Sequence, residues 1–205
     1  MKKGINKMIK TRSLATTILG LALSAVAASA QEAGRSEVSV QAFGSFVKST
    51  TDKGVEQSAT NSGGVLANYR FFFANNHGVE VNYGYSRNTQ NFGLSSGILG
   101  VKSDQHEITA AYVYRHPLRN FTPFVEAGVG ALLFDPTDLP GVSTQARAAF
   151  VYGGGADFNF THRLFARVQY RGFVYNSPTF DLVSTVGTDR ITHRAEPSVG
   201  FGYRF

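Results

Sequence analysis

Several residue types are missing or scarce in this sequence, and each absence narrows the possible folds. The 205 residues contain no cysteine and no tryptophan. Without cysteine, disulfides cannot stabilise a small exported domain, so the chain needs either a sufficient water-soluble core or lipid around it. Without tryptophan, any membrane-interface belt must be built from the tyrosines, which departs from the usual composition.

Long apolar runs are also scarce, and the one candidate lies at the N-terminus. It extends from Leu14 to Ala28, ends in Ala28-Ser29-Ala30, and follows five basic residues: Lys2, Lys3, Lys7, Lys10 and Arg12. This arrangement predicts a secretory signal peptide over residues 1–30, cleaved after Ala30. The alternative, a membrane anchor helix, needs about twenty apolar residues, and this run has about fifteen. Residues 31–205 are then one domain, which could cross a membrane only with strands.

Positive charge is concentrated in the same leader. The formal net charge is +6, and removing the five leader charges leaves about +1 for residues 31–205. No basic patch survives that subtraction. The sequence therefore predicts no nucleic-acid partner.

The strongest pattern is a strict alternation in the last eleven residues. One parity is apolar and the other is polar or glycine; the apolar parity contains Ala195, Pro197, Val199, Phe201, Tyr203 and Phe205. A β-strand sends alternate side chains to opposite faces, so this segment is predicted to be a strand with one apolar face. A strand that closes on an aromatic residue of its apolar face is typical of a lipid-facing strand.

The alternation recurs in seven earlier segments. They cover about 37–47, 64–72, 79–87, 105–115, 121–134, 145–158 and 164–174. Their apolar parity carries no Lys, Arg, Asp or Glu, as lipid requires, because a charge at the bilayer midplane costs about 2–4 kcal/mol. The connections alternate between long and short, which predicts an all-β, eight-stranded antiparallel up-and-down transmembrane β-barrel. A soluble, lipocalin-like barrel is the alternative fold.

Three long polar segments, 48–63, 88–103 and 175–190, are expected to be loops. Pro197 lacks an amide hydrogen, so it is expected near the outer rim, at a bulge or a missing ladder bond.

The opposite parity of the same strands collects the charges. It contains Glu37, Glu80, Glu107, Glu126, Asp157, Glu196, Arg70, Arg115, Arg147, Arg167, Arg171, Arg194 and Arg204. An eight-stranded barrel has an interior that side chains just fill, and buried charges must be paired. We therefore predict a network of carboxylate–guanidinium contacts that plugs the lumen, with Glu126, Arg167 and Glu196 in its middle layer. Inward glycines are expected to make room for these side chains: Gly128, Gly130, Gly153, Gly155, Gly200 and Gly202.

The signal peptide, the eight strands, the run TPFVEAGVGALLF and the closing VGFGYRF resemble the small outer-membrane β-barrel family of OmpA-like and OmpX-like proteins. The resemblance covers residues 31–205. It implies a place in the outer membrane of a Gram-negative-type bacterium, in contact with outer-membrane lipid and lipopolysaccharide. It also implies insertion by the outer-membrane assembly machinery, for which Phe201, Tyr203 and Phe205 are the expected assembly signal. We expect a monomer.

The expected function is a structural or surface-interaction role, with the polar loops as the contact surface. An enzyme is not expected, because the His-x-Ser-Asn pattern of barrel lipid A deacylases is absent; His106 and His193 are the histidines nearest the outer rim. A narrow ion pore is the other alternative. Asp135 and Asp138 are too few to indicate a metal site, so no metal and no cofactor is expected.

Overall fold

The computed structural model describes residues 35–52, 55–94, 97–137, 143–178 and 191–205. No helix in this part of the chain is long and apolar enough to cross a membrane. The predicted signal peptide and its cleavage after Ala30 lie outside the described residues and stay predictions.

Ten strands follow one another along the described chain. They are β1 (Ser36–Val47), β2 (Thr50–Asp52), β3 (Val55–Ala59), β4 (Ser62–Phe72), β5 (His77–Leu94), β6 (Gly97–Arg115), β7 (Phe121–Pro136), β8 (Gln145–Asn159), β9 (Leu164–Asn176) and β10 (Ile191–Arg204).

Eight of these strands close into an antiparallel barrel in the order β1, β4, β5, β6, β7, β8, β9, β10. The barrel closes between β10 and β1, where Glu37 pairs with Arg204 and Val47 pairs with Arg194. The predicted eight-stranded up-and-down barrel is therefore confirmed. We call the end that carries the short turns 73–76, 116–120 and 160–163 the turn end, and the opposite end the hairpin end.

The outward face of the barrel is apolar and exposed, whereas the inward face is charged and buried. Val129 is 64% exposed and Phe201 is 69% exposed, while Arg167 is fully buried in the lumen. A water-soluble barrel has the opposite arrangement, because buried charges are costly and large apolar patches are kept from water. The alternative of a soluble, lipocalin-like barrel is therefore wrong, and the surroundings of this barrel are lipid.

Two segments that were predicted to be loops contain strands instead. Segment 48–63 holds β2 and β3, and β3 pairs with β5. Segment 88–103 completes one long hairpin, in which β5 and β6 stay paired as far as Leu94 and Gly97. The alternation is lost here because the outward face meets water beyond the lipid and the buried inward side chains Asn88, Gln90 and Ser103 are polar as well, although the backbone ladder continues. In segment 175–190, β9 continues to Asn176 and residues 179–190 lie outside the described ranges.

Pro197 lies in the middle of β10, opposite Tyr170, and not near the rim as predicted. The ladder between β1 and β10 is interrupted between the pairs Phe43–Ser198 and Phe46–Ala195 and resumes in the same register. The prediction of a missing ladder bond at Pro197 is therefore confirmed, since the proline supplies no amide hydrogen. The predicted alternative, a bulge, is not observed there.

The inward glycines serve mainly the backbone. A Cβ atom at Gly128 or Gly200 would lie 2.1 Å from the carbonyl oxygen of Ala110 or Val40 on the next strand. Side-chain room is the reason at Gly202, where a Cβ would lie 2.2 Å from the Phe165 ring, and at Gly84, where it would lie 2.5 Å from the Glu107 side chain; Gly84 was not among the predicted glycines. The expectation that these glycines chiefly accommodate long side chains is therefore corrected: most of them let neighbouring strands approach closely in a narrow barrel.

Apolar side chains fill both ends of the lumen. Phe72, Val113 and Phe124 cluster at the turn end. A larger inward cluster lies at the hairpin end and contains Val101, Leu132, Phe134, Ala149, Val151, Phe173 and Tyr175. Charged side chains pack directly on these apolar residues: the Arg70 guanidinium lies on the Phe124 ring, and the Arg194 guanidinium lies on the Phe173 ring.

Candidate functional site

The lumen holds two groups of ion-paired side chains. The turn-end cluster contains Arg70, Arg115, Arg167, Arg204, Glu37, Glu80, Glu126 and Asp157. The hairpin-end cluster contains Glu107, Arg171, Arg194 and Glu196. Each cluster has as many carboxylates as guanidinium groups, so each is formally neutral.

Glu37 is the centre of the turn-end cluster. It lies on β1, and its carboxylate accepts hydrogen bonds from Arg115 at 2.7 Å, Arg204 at 2.8 Å and Arg167 at 3.1 Å. Arg167 also donates to Asp157, with 2.6 Å between Nε and Oδ1. Because Glu37 and Arg167 are almost completely buried, these charge-assisted hydrogen bonds form a buried network across the lumen.

Glu126 lies at the edge of the same cluster. Its carboxylate is 3.5 Å from the Arg70 guanidinium and accepts a 2.8 Å hydrogen bond from Gln169. Arg70 is paired more closely with Glu80. Glu126 therefore shares an arginine that already has a carboxylate partner.

The hairpin-end cluster is a closed set of four groups. Glu196 lies 2.7 Å from Arg171 and 2.7 Å from Arg194, and Glu107 accepts hydrogen bonds from the same two arginines. The guanidinium of Arg194 also lies 4.4 Å from the centre of the Phe173 ring. This contact joins the ion pairs to the apolar layer above them.

Uncharged amides and a hydroxyl separate the two clusters. Gln41 donates to Gln169 at 3.1 Å, and Ser198 donates to Gln41 at 2.9 Å. These three side chains are buried. The middle of the lumen is therefore a hydrogen-bonded neutral layer.

The residues predicted for the middle layer do not lie together. Arg167 and Glu126 belong to the turn-end cluster, and Glu196 belongs to the hairpin-end cluster. Of the other network residues, Glu80 contacts Arg70 and Arg171 contacts Glu196, while Arg147 is half-buried at the hairpin end and donates to Gln145. Gln41, Gln169 and the apolar layers were not predicted as parts of the lumen network, although all of these residues share the inward parity.

The outward face carries a polar network where β5 and β6 leave the apolar band. Tyr83 bonds His106 at 2.8 Å, Tyr85 donates to Asp104 at 3.2 Å, and Arg87 forms an ion pair with Asp104. Hydrogen bonds from Arg87 lower the pKa of the Asp104 carboxyl below its ordinary value. The outward parity was predicted to carry no charge. Arg87 and Asp104 correct this prediction, but only at the rim, above the lipid-facing segment.

The two histidines considered for catalysis bond tyrosines. His106 bonds Tyr83, and His193 bonds Tyr152 at 2.9 Å. Of the two acids considered for a metal, Asp135 accepts a 2.7 Å hydrogen bond from Thr144, and Asp138 lies outside the described residues. The described part of the chain contains no group of three side chains suited to a metal ion. The hydrogen bonds of His106 to Tyr83 and of His193 to Tyr152 are typical of side chains that anchor a barrel at the membrane interface.

The aromatic residues of the expected assembly signal lie at the turn end of β10. Phe201 is 69% exposed on the lipid-facing surface. The rings of Tyr203 and Phe205 meet edge to face at 5.3 Å, and Arg163 donates to the Tyr203 hydroxyl at 3.1 Å.

Comparison with known proteins identifies the family of this barrel. The sequence matches the family model of the outer membrane protein beta-barrel domain over residues 15–205. The chain belongs to this family. The predicted resemblance to small outer-membrane barrels is thus confirmed, and the family places the protein in a Gram-negative outer membrane, with its short turns on the periplasmic side. No curated protein matches the sequence.

Solved structures of outer-membrane barrels share the fold at low sequence identity. The outer membrane protein OprG from Pseudomonas aeruginosa has a TM-score of 0.59 and 17% identity, over 85% of this chain and 97% of that one. The attachment invasion locus protein Ail of Yersinia pestis, in complex with the heparin analogue sucrose octasulfate, gives 0.52 and 21%, over 85% and 100%. Neisserial surface protein A gives 0.56 and 16%, over 82% and 97%.

Proposed function

We propose that this protein is a closed, non-conducting outer-membrane barrel that presents its hairpin end as a surface for contacts outside the cell. The observation that carries the proposal is a sheet of β2, β3, β5 and β6 that continues beyond the barrel. The lumen beneath it is filled by neutral ion-pair clusters and by the apolar side chains on which they pack. A transport or catalytic role has no comparable support in the geometry.

The length of the β5–β6 hairpin shows how far this sheet projects. β5 has 18 residues, which corresponds to about 60 Å along the strand and, at a tilt near 40°, to about 45 Å of height. The apolar band of an outer-membrane barrel is about 25 Å high. A large part of the hairpin therefore stands in water, where β3 pairs beside it.

The described charged side chains at the hairpin end carry both signs. Positive charge comes from Lys48, Arg87, Lys102 and the half-buried Arg147, and negative charge comes from Glu56, Asp135 and the half-buried Asp104. The structural neighbour Ail is bound to a sulfated heparin analogue, but a surface of mixed charge does not strongly favour a polyanion by charge. We therefore propose a partner held by hydrogen bonds to polar side chains, such as the saccharide part of neighbouring lipopolysaccharide.

Shortening the long hairpin tests the contact surface. Replacing residues 91–100 with an Asn-Gly turn joins Gln90 to its ladder partner Val101, so the register and the apolar layer are kept, and such a turn suits a two-residue hairpin. We expect the shortened barrel to keep its heat-modifiable migration in gels and to lose at least about 1 kcal/mol of binding to immobilised lipopolysaccharide, roughly fivefold in affinity. Equal binding by both proteins would contradict the proposal.

The closed lumen is tested separately. The purified barrel in a planar bilayer is expected to show no discrete conductance steps, because buried ion pairs fill the only path through an eight-stranded lumen. Incubation with lipid A is expected to release no fatty acid. Release that is abolished by His193→Ala would instead identify the deacylase alternative.

The assembly role of the terminal aromatic residues remains a proposal with its own test. Deleting Phe205 removes one half-buried ring and its backbone hydrogen bond to Ser36, and it removes no member of the lumen clusters. We expect the amount assembled in cells to fall severalfold, while the free energy of unfolding of the refolded barrel changes by less than about 1 kcal/mol. Equal losses in the two assays would assign Phe205 to stability and not to assembly.

A further inference from the structure

The three short turns share a chemistry that the barrel itself does not require. The exposed basic side chains Arg119 and Arg163 lie in two of them, and Arg35 lies beside them just before β1. His116 and His162 are exposed in the same turns, and His77 closes the first one. None of the described turn residues 73–76, 116–120 and 160–163 is Asp or Glu.

The opposite end of the barrel differs in charge. The described charged residues of the hairpin end carry both signs, whereas the exposed charged side chains of the described turn residues are all positive. The acidic side chains nearest to the turns, Glu37 and Asp157, are buried and paired with lumen arginines. Within the described part of the chain, no carboxylate forms an ion pair with Arg119 or Arg163, and these two arginines face the periplasmic leaflet.

Each turn also exposes one large apolar side chain, and the second and third turns hold an arginine as well. Phe73 is 52% exposed, Leu118 is 43% exposed and Phe160 is 65% exposed. A dissolved polyanion would give these side chains nothing to contact. At the boundary between headgroups and acyl chains, apolar and cationic groups are both satisfied within a few ångströms of each other.

A notch opens between the first two turns. It has a volume of about 430 Å³ and is lined by Asn75, Asn76, Arg115, His116 and Pro117. The Arg115 guanidinium is held in place by a 2.7 Å bond to Glu37, a 3.0 Å bond to the Asn75 carbonyl and a position 3.4 Å above the Phe72 ring. Fixed N–H groups and side-chain amides around such a notch are suited to phosphate oxygens.

We propose that the turn end is a binding collar for anionic phospholipid headgroups of the periplasmic leaflet. Arg119 and Arg163 attract the headgroups, the apolar residues Phe73, Leu118 and Phe160 enter the acyl boundary, and the notch receives a phosphate. The collar would surround the barrel with anionic lipid on one side of the membrane only.

Spin-labelled lipids test the collar on the whole mature barrel. The protein is refolded in phosphatidylcholine vesicles that contain a trace of labelled phosphatidylglycerol or labelled phosphatidylcholine, and electron spin resonance measures the fraction of each lipid held at the protein. We expect phosphatidylglycerol to be enriched at low salt. In the variant R119Q/R163Q this enrichment should fall about fivefold or more, since each basic residue near a membrane contributes a factor of about five.

Matched variants separate the collar from a general charge effect. R119K/R163K keeps the charge and should keep the enrichment. R87Q/K102Q removes the same charge at the hairpin end and should also keep it. Folding of every variant is checked by heat-modifiable migration, and the single variants R119Q and R163Q give the same comparison if the double variant does not fold.

Three results would overturn the proposal. The first is the absence of phosphatidylglycerol enrichment in the unmodified barrel, and the second is an equal loss in R87Q/K102Q. The third is complete displacement of the labelled lipid by inorganic phosphate at matched ionic strength, which would show a site for free anions. Loss of part of the enrichment in H116A, with R87Q/K102Q unchanged, would support the notch as the phosphate position.

Discussion

Glu37→Ala is expected to lower the free energy of unfolding by about 3–5 kcal/mol, because it leaves buried guanidinium groups without a counter-charge. Glu37 accepts hydrogen bonds from Arg115, Arg167 and Arg204, and its side chain is 1% exposed. Arg167 keeps Asp157 as a partner, whereas the other two lose their main carboxylate. Denaturant unfolding of the barrel in vesicles measures the loss by linear extrapolation.

Glu126→Ala is the matched comparison for this prediction. Glu126 is also buried, but Arg70 stays paired with Glu80 when Glu126 is removed. The expected loss is therefore smaller, about 1–3 kcal/mol, and consists mainly of the hydrogen bond from Gln169. Glu37→Gln keeps an acceptor and should fall between the two variants. Equal losses for Glu37→Ala and Glu126→Ala would show that Glu37 is not the centre of the turn-end cluster.

The direction in which each side chain points could be predicted from the sequence, but its height in the barrel could not. In β10 the two parities differ sharply because lipid lies on one side and a charged lumen on the other. Height depends on the stagger between strands, and Glu126, Arg167 and Glu196 show the consequence. Through Gly153, Glu126 is in the same ladder row as Arg171 and Glu196, yet it contacts Arg70 of the turn-end cluster. The strands of a barrel are tilted, so residues of one ladder row lie at different heights.

The extent of the strands could not be predicted for a related physical reason. Within lipid, each strand separates two solvents and the sequence records this with a period of two. Beyond the lipid, the outward face of β5 and β6 meets water, and their buried inward side chains Asn88, Gln90 and Ser103 are polar too, so Ser, Thr, Asn and Gln occur at either parity. The strands are defined here by backbone hydrogen bonds, which leave no pattern in the side chains.

Gly200→Ala is expected to destabilise the barrel by about 3 kcal/mol or more, although it adds one methyl group. The new Cβ atom would lie 2.1 Å from the Val40 carbonyl oxygen and 2.5 Å from the Gln41 Cα atom. Both atoms belong to the backbone of β1, so relief requires the closing pair of strands, β1 and β10, to move apart. The movement would also disturb Gln41, which joins the two ion-pair clusters.

Gly63→Ala is the control for Gly200→Ala, because it makes the same chemical change on β4, the other strand that pairs with β1. The nearest atom to a Cβ at Gly63 is the Phe43 carbonyl oxygen at 3.7 Å, an ordinary contact. Both variants lose the same backbone freedom in the unfolded chain, which favours the folded state by about 0.4–1 kcal/mol. Gly63→Ala should therefore be neutral or slightly stabilising in the same unfolding assay. If the two variants unfold at the same denaturant concentration, close approach of β1 and β10 is not what requires glycine at position 200.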